Sequence, residues 1–320
     1  MGNPDLNDSL CGPSIALLEK RESTQEAGVV VESRSADVSV VIPAYHEEGA
    51  IARTVSRILE ILPEAEVIVV DDGSRDRTAE DARRAGAYVW SHPYNIGNGA
   101  AIKTGIRMAS RDYVVLMDGD GQHDPADLPR LLKAAEKYDM VVGARDPKSH
   151  ASAFRRLANA AYNMLARYTT KFPVKDLTSG YRVVHRETVL RYLYLLPNTF
   201  SYPTTLTMAY LRSGRSVCYV PIEAQKRHGK SKIKPLKDGV RFFLIILKIA
   251  TLFSPLRIFL PVSGSFFLLG LANYAYTYIT QHRFTNMSAL LLITSVILFM
   301  MGLISEQITQ LRYDRVSDGG

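Results

Sequence analysis

Cysteine is nearly missing from this chain of 320 residues: Cys11 and Cys218 are the whole supply. Two cysteines build neither a disulfide framework nor a cysteine zinc site, and free thiols in a reducing compartment are the expected state. Residues 1–36 lack a basic start followed by an apolar core and a cleavage site, so no secretory signal is expected and the protein is expected to face the cytosol. Acid is the minority charge, with 32 Asp+Glu against 39 Lys+Arg and a net charge of +7. A content of 47% apolar and 22% charged residues excludes a wholly disordered or fibrous chain, and the length suits one large domain or two ordinary ones. Charge itself is missing from two stretches. Residues 256–280 hold only Arg257, and residues 288–305 hold no charge. Eighteen helical residues span about 27 Å, close to a hydrocarbon core of about 30 Å, which favours two membrane spans over two core helices.

What is present before those spans alternates in period. Val38–Ile42 is a β-branched run stopped by Pro43, and Ile51, Val55, Ile58, Leu59 and Leu62 then recur at helical spacing. Val67–Val70 is a second strand, followed by a helix over 77–85 and a short strand over 87–90. A glycine-rich loop over 95–99, a helix through Ala109 and a strand over 113–117 complete the pattern. Strands alternating with helices predict a mainly parallel sheet of βαβ units, whose ligands bind beyond the carboxyl ends of the strands. Three polar clusters fall at those ends: 43–47, 71–74 and 118–122.

The linker between the spans, Gln281–Asn286, is short enough to make them an antiparallel hairpin, with Tyr274, Tyr276, Tyr278 and Phe284 crowded at one end as interfacial aromatics. Residues 235–255 mix Lys237, Arg241 and Lys248 with phenylalanines and leucines, the pattern of an amphipathic helix on a membrane surface. Six of the twelve residues from Lys226 to Lys237 are Lys or Arg. Their position directly before membrane segments favours anionic lipid over nucleic acid as partner.

Asp118, Gly119, Asp120 and Gln122 close a strand. In extended chain, positions i, i+2 and i+4 project to one side, so two carboxylates and an amide oxygen would converge on a hard cation, Mg²⁺ or Mn²⁺. Such incomplete cages share their ion with a substrate's phosphates.

With Pro43-Ala44-Tyr45-His46-Glu47-Glu48, Asp71-Asp72-Gly73-Ser74, Asn95-Ile96-Gly97-Asn98-Gly99 and Asp118-Gly119-Asp120-Gly121-Gln122 in this order, the chain resembles the family 2 glycosyltransferases, whose nucleotide-sugar domain has the GT-A fold. Gly143-Ala144-Arg145, Asp176-Leu177-Thr178-Ser179-Gly180-Tyr181-Arg182 and Gly229-Lys230-Ser231-Lys232 resemble the polyprenyl-phosphate branch, which includes dolichyl-phosphate mannose synthases and undecaprenyl-phosphate sugar transferases.

The resemblance implies a Rossmann-like α/β catalytic domain over 37–234 after an N-terminal extension over 1–36. An interfacial helix over 235–255 and a transmembrane hairpin over 256–312 follow. It implies that Pro43, Tyr45 and Glu47 border the nucleoside and that Asp72 accepts hydrogen bonds from base or ribose. Asn95, Lys103, Ser179 and Lys232 are grouped with the donor-binding residues, although loop shaping is the leading reading for Asn95. Asp118, Asp120 and Gln122 would hold the ion, and Arg145, Arg182 and Arg227 would bind phosphate oxygens, with Lys226 as an alternative to Arg227. The implied activity is inverting transfer of a hexose from a nucleotide diphosphate sugar to a polyprenyl phosphate at the cytoplasmic membrane; a homo-oligomer stays open. Transfer to a sugar hydroxyl, with Asp176 as base, is the enzymatic alternative, and a nucleotide-sugar sensor without turnover is the other.

Overall fold

The computed structural model describes residues 36–145, 172–198, 202–223 and 254–317, with isolated positions at 164, 167 and 251. Arg227, Lys232, the basic stretch and nearly all of the expected interfacial helix lie outside the described residues. The chain divides into two compact units, Met1–Lys232 and Ile233–Gly320.

The first unit is built on a seven-stranded sheet. Its elements are β1 Val38–Ala44, α1 Ile51–Ile61, β2 Glu66–Asp71, α2 Thr78–Arg84, β3 Tyr88–Ser91, α3 Asn98–Met108, β4 Tyr113–Leu116, α4 Leu128–Ala135 and β5 Met140–Arg145. After the catalytic-domain segment outside the described residues come β6 Arg182–His185, α5 Arg186–Tyr192, α6 Tyr202–Arg212 and β7 Val217–Ile222. The strand order is β3-β2-β1-β4-β6-β5-β7. Every residue of β1 is buried, as a strand covered on both faces requires. In α1, Ile51, Thr54, Val55 and Ile58 are buried and the charged residues face out, so a single apolar stripe docks on the sheet. The helix ends where Leu62 precedes Pro63, a residue that disfavours continued helix before it.

All strands run one way except β6, which is antiparallel to β4 and to β5. The reversal has a direct consequence for the site. Ala44, Asp71, Ser91, Leu116, Arg145 and Ile222 end the parallel strands at one rim, and β6 begins at that same rim with Arg182. Hence the segment 176–181 arrives between the end of β4 and the end of β5.

Cys218 is fully buried in β7, and Cys11, expected with it as a free thiol, lies outside the described residues.

The second unit contains α7 Pro255–Gln281 and α8 Asn286–Ser317, both longer than the expected spans. Each is long and apolar enough to cross a membrane. His282 ends α7 in a left-handed conformation, donating its N–H to the Tyr278 carbonyl. Tyr274 stacks near Tyr278 and Phe284, with ring centroids 5.8 and 5.4 Å apart, at the turn. Between the helices Ser263 and Ser295 each donate to the other's carbonyl, at 2.9 and 3.0 Å, so neither hydroxyl is left without a partner in an apolar pair.

Candidate active site

The polar clusters expected at strand ends meet at one rim, but they interlock more than they point outward. The loop after β1 is tied to the loop after β2: His46 donates its N–H to Ser74 Oγ at 3.0 Å, Glu47 to Thr78 Oγ1 at 2.9 Å, and Glu48 accepts from Arg77 N at 3.0 Å. Asp71 accepts from the Ser74 N–H at 3.1 Å. The loop after β3 closes on these two. Gly73, at φ 77°, lies so close to Tyr94 that an added Cβ would stand 2.6 Å from its carbonyl carbon. Pro43 is buried within β1, while Tyr45 and Asn95 are exposed and Glu47 is half-buried beside them.

Asp72, expected beside base or ribose, is 3% exposed and engages His92 Nδ1 at 2.7 Å, Ile96 N at 3.0 Å and Gly97 N at 2.8 Å. It shapes the loop that leads into α3. His92 bridges Asp72 to Thr104 Oγ1 at 3.0 Å. Lys103, expected among the donor-binding residues, donates from its ammonium to the Leu196 carbonyl and the Asn198 side chain.

Residues 118–122 form a turn, not the extended chain that an alternating projection assumes. Gln122 donates its N–H to Asp120 Oδ1 at 3.1 Å, folding the two donors around one another. The Asp118 side chain is 36% exposed, with Oδ2 3.9 Å from Nδ1 of the buried His123, too far for a hydrogen bond. The Asp118 N–H lies 3.3 Å from that nitrogen, an arrangement suited to a neutral ring. Burial pushes His123 down, against the opposing pull of Asp118 and Asp120. His123 stacks on Tyr181, whose hydroxyl donates to the Asp124 carbonyl at 3.2 Å. No group of three or more His, Cys, Asp and Glu side chains among the described residues forms a metal cage. Asp118, Asp120 and the Gln122 amide remain a hard-oxygen set that suits Mg²⁺ or Mn²⁺ with further oxygens supplied by a diphosphate.

Arg145 ends β5 and is gripped by Asp176. Its Nε and Nη2 reach Oδ2 and Oδ1 at 2.9 and 3.2 Å, and Nη2 also donates to Thr178 Oγ1 at 2.8 Å. The Asp176 carboxylate additionally accepts from the N–H groups of Arg145, Thr178 and Ser179, at 3.3, 3.0 and 3.1 Å. Burial pushes this carboxyl up, but the hydrogen bonds and charge of Arg145 and the backbone donors outweigh it and hold it below its ordinary value of 3.8. Asp176 is thus a stable anion whose evident work is to orient a guanidinium.

Arg182, expected to bind substrate phosphate, is fully buried. Its Nε donates to the Ser179 carbonyl at 2.8 Å, Nη2 to the Leu177 carbonyl at 3.2 Å and Nη1 to Thr207 Oγ1 at 2.6 Å. Burial pulls its pKa down. The guanidinium ties 177–179 to α6 from beneath. Ser179, expected with the donor-binding residues, is equally buried and accepts the Tyr181 N–H on its Oγ at 3.3 Å. Thr178, Gly180 and Tyr181 were not singled out in the sequence. The Asp-x-Thr-Ser run was the available signal, since hydroxyl residues after an aspartate favour the tight turn that forms here.

Comparison with known proteins bears on this arrangement directly. Residues 39–193 match the model of glycosyl transferase family 2, and residues 254–311 match one described as the GtrB C-terminal hairpin. An undecaprenyl-phosphate 4-deoxy-4-formamido-L-arabinose transferase of Pseudomonas aeruginosa is 32% identical over 247 residues, covering 73% of this chain and 70% of its own. The chain belongs to glycosyl transferase family 2. An undecaprenyl-phosphate mannosyltransferase of Micrococcus luteus is also 32% identical, over 61% of this chain and 87% of its own. Among solved structures, glucosyl-3-phosphoglycerate synthase from Mycobacterium tuberculosis, in complex with Mn²⁺ and uridine-diphosphate-glucose, superposes with a TM-score of 0.56 at 24% identity. It covers 68% of this chain and 80% of that one. The catalytic unit therefore has the expected GT-A fold. This glycosyltransferase falls in the polyprenyl-phosphate branch of its family, and its two apolar helices associate it with a membrane.

Proposed function

We propose that this glycosyltransferase moves a hexose, with inversion, from a nucleotide diphosphate sugar to a polyprenyl phosphate. The observation that carries the reading is the state of Asp176. The carboxylate best placed to serve as a base already accepts from Arg145 and from the backbone of the 176–179 turn. An acceptor that needs no base suits such a site. A phosphate monoester is such an acceptor, being largely doubly ionised above a second pKa of about 6. Arg145, held in a bidentate grip, keeps its outward N–H groups at a fixed angle for phosphate oxygens.

Asp118, Asp120 and Gln122 would hold a divalent cation, which when bound neutralises the departing nucleoside diphosphate. Tyr45, Glu47 and Asn95 border the donor, and Arg227 or Lys226 adds positive charge for phosphate. Catalysis is then placement and charge stabilisation. The curated relatives named as undecaprenyl-phosphate sugar transferases support the lipid acceptor. Release of nucleoside diphosphate from a panel of UDP- and GDP-sugars tests the reading. It should be strongly stimulated by a short polyprenyl phosphate; release that requires a sugar hydroxyl instead, or none with any acceptor, would refute it.

The distribution of Lys and Arg supports one orientation. Nine lie in 223–257, Arg283 alone lies in the turn of the hairpin, and Arg312 and Arg315 lie in the last turns of the second helix. The positive-inside rule then sets the catalytic unit and the C-terminus on the cytosolic side of a membrane crossed twice, with 226–237 against anionic lipid. A reporter fused after Gly320 should be accessible only from the cytosol; detection outside the cell would overturn the arrangement.

A further inference from the structure

Leu116 of β4 pairs with Arg182 of β6 in antiparallel register. Counting two residues outward along each chain brings Asp118 opposite Gly180. The contact is close: a Cβ added to Gly180 would lie 2.6 Å from Oδ2 of Asp118, 2.9 Å from Oδ1 and 3.0 Å from Cγ. Its three nearest atoms would all belong to that one carboxylate. Gly180 does not occupy the left-handed region, so its backbone accepts an L-residue, and space is what demands glycine here.

We propose that Gly180 is a positioning residue for Asp118, its bare α-carbon forming the seat on which that carboxylate rests. The consequence for transfer rests on the metal-binding reading given above for Asp118. The surrounding chain cannot readily yield to a methyl group. Arg182 holds the Ser179 carbonyl from below, and Gly143 donates its N–H to the Tyr181 carbonyl at 2.9 Å. Aspartate is the shortest acid, so its carboxylate can retreat only by rotating about χ1 or χ2, which would shift the oxygens from their present place. The same six residues, 176–181, also carry Asp176 at their other end, so one short loop sets both the candidate metal ligand and the phosphate-facing Arg145.

The test is Gly180→Ala in the full-length enzyme, alone and combined with Asp118→Ala. Sugar transfer is measured against Mn²⁺ concentration, together with binding of UDP and GDP and thermal melting. The Mn²⁺ needed for half-maximal rate should rise at least about tenfold, the scale of losing an outer-shell support of a metal ligand. In the Asp118→Ala background the added methyl should cost nothing more in residual rate or nucleotide binding. Where the unsubstituted enzyme responds to Mn²⁺, an unchanged Mn²⁺ dependence in Gly180→Ala would overturn the proposal, as would an equal loss in both backgrounds in any case. If Gly180→Ala does not fold, the double variant should; failure of both would overturn it equally. Unsubstituted enzyme indifferent to Mn²⁺, Mg²⁺ and EDTA would refute the metal reading alone, since the comparison of backgrounds still decides on Gly180.

Discussion

Replacing Asp118 by asparagine is expected to lower sugar transfer at least about a hundredfold, the scale of losing a principal electrostatic stabiliser. The amide keeps the shape of the carboxylate and its place beside Gly180 but not the charge that would hold a cation near a diphosphate. Asp120→Asn should act in the same direction. Here the side chain also has a structural role, because Asp120 accepts the Gln122 N–H that closes the turn. An asparagine oxygen can still accept that bond, so the turn should survive and the loss should be electrostatic. The discriminating measurement is rate against divalent cation for the unsubstituted enzyme and both variants, with melting temperatures in parallel. Variants that melt normally yet need far more cation, or no longer respond to it, agree with the assignment. Full activity in EDTA with both substitutions in place would remove the metal from these residues.

The second large effect concerns the absence of a base. With phosphate as nucleophile, the rate should rise as pH passes roughly 6 and then flatten, because the acceptor's own ionisation is the only proton loss required. Arginine keeps its charge over this range and adds no further limb. Asp176 is held below its ordinary value of 3.8, so it too is already an anion throughout. The sign for stability follows: its contribution is complete above that ordinary value and is lost as pH falls through the lowered one. Asp176→Asn places an amide N–H₂ against the Arg145 guanidinium and should misdirect it. The rate falls, the plateau stays, and the loss appears chiefly at low lipid concentration. A hydroxyl acceptor would make the carboxylate indispensable, at about two to four orders of magnitude. Near-total loss at every pH from 5 to 9, with saturating lipid, intact folding and intact nucleotide binding, would establish that alternative.

The strands and the rim were legible because β-branched runs stop at Pro43, Asp71 and Asp118, and polar residues cluster where the period breaks. The two apolar helices were legible for a simpler reason, the near absence of charge. Which carboxylates face solvent was not legible. Asp72 and Asp118 follow similar strands, yet Asp72 is consumed by His92 and the N–H groups of 96 and 97, while Asp118 keeps its carboxylate half-exposed. Only the return of residues some twenty positions later separates them. The burial of Arg182 and Ser179 was hidden for a related cause: within a motif of alternating polar residues, β6 decides which ones turn beneath the sheet, and its partners are strands far away in sequence. Lys103 belongs to the same class, since Leu196 and Asn198 claim it from beyond β6. Local pattern locates a site, whereas long-range pairing apportions its charges.

That pairing makes the register of β6 a dimensional tolerance for the chemistry. Arg182 lies opposite Leu116 on one side and opposite Val142 on the other, so a single strand is indexed against both flanks at once. A slip of one residue would displace its leading loop by about 3.4 Å and invert its faces. Productive constellations must hold to within about 0.5 Å. Arg182, fully buried, thus serves as the pawl of a ratchet with one usable tooth. With its guanidinium engaged on the Ser179 and Leu177 carbonyls and on Thr207, the place of the 176–181 loop is machined into the sheet.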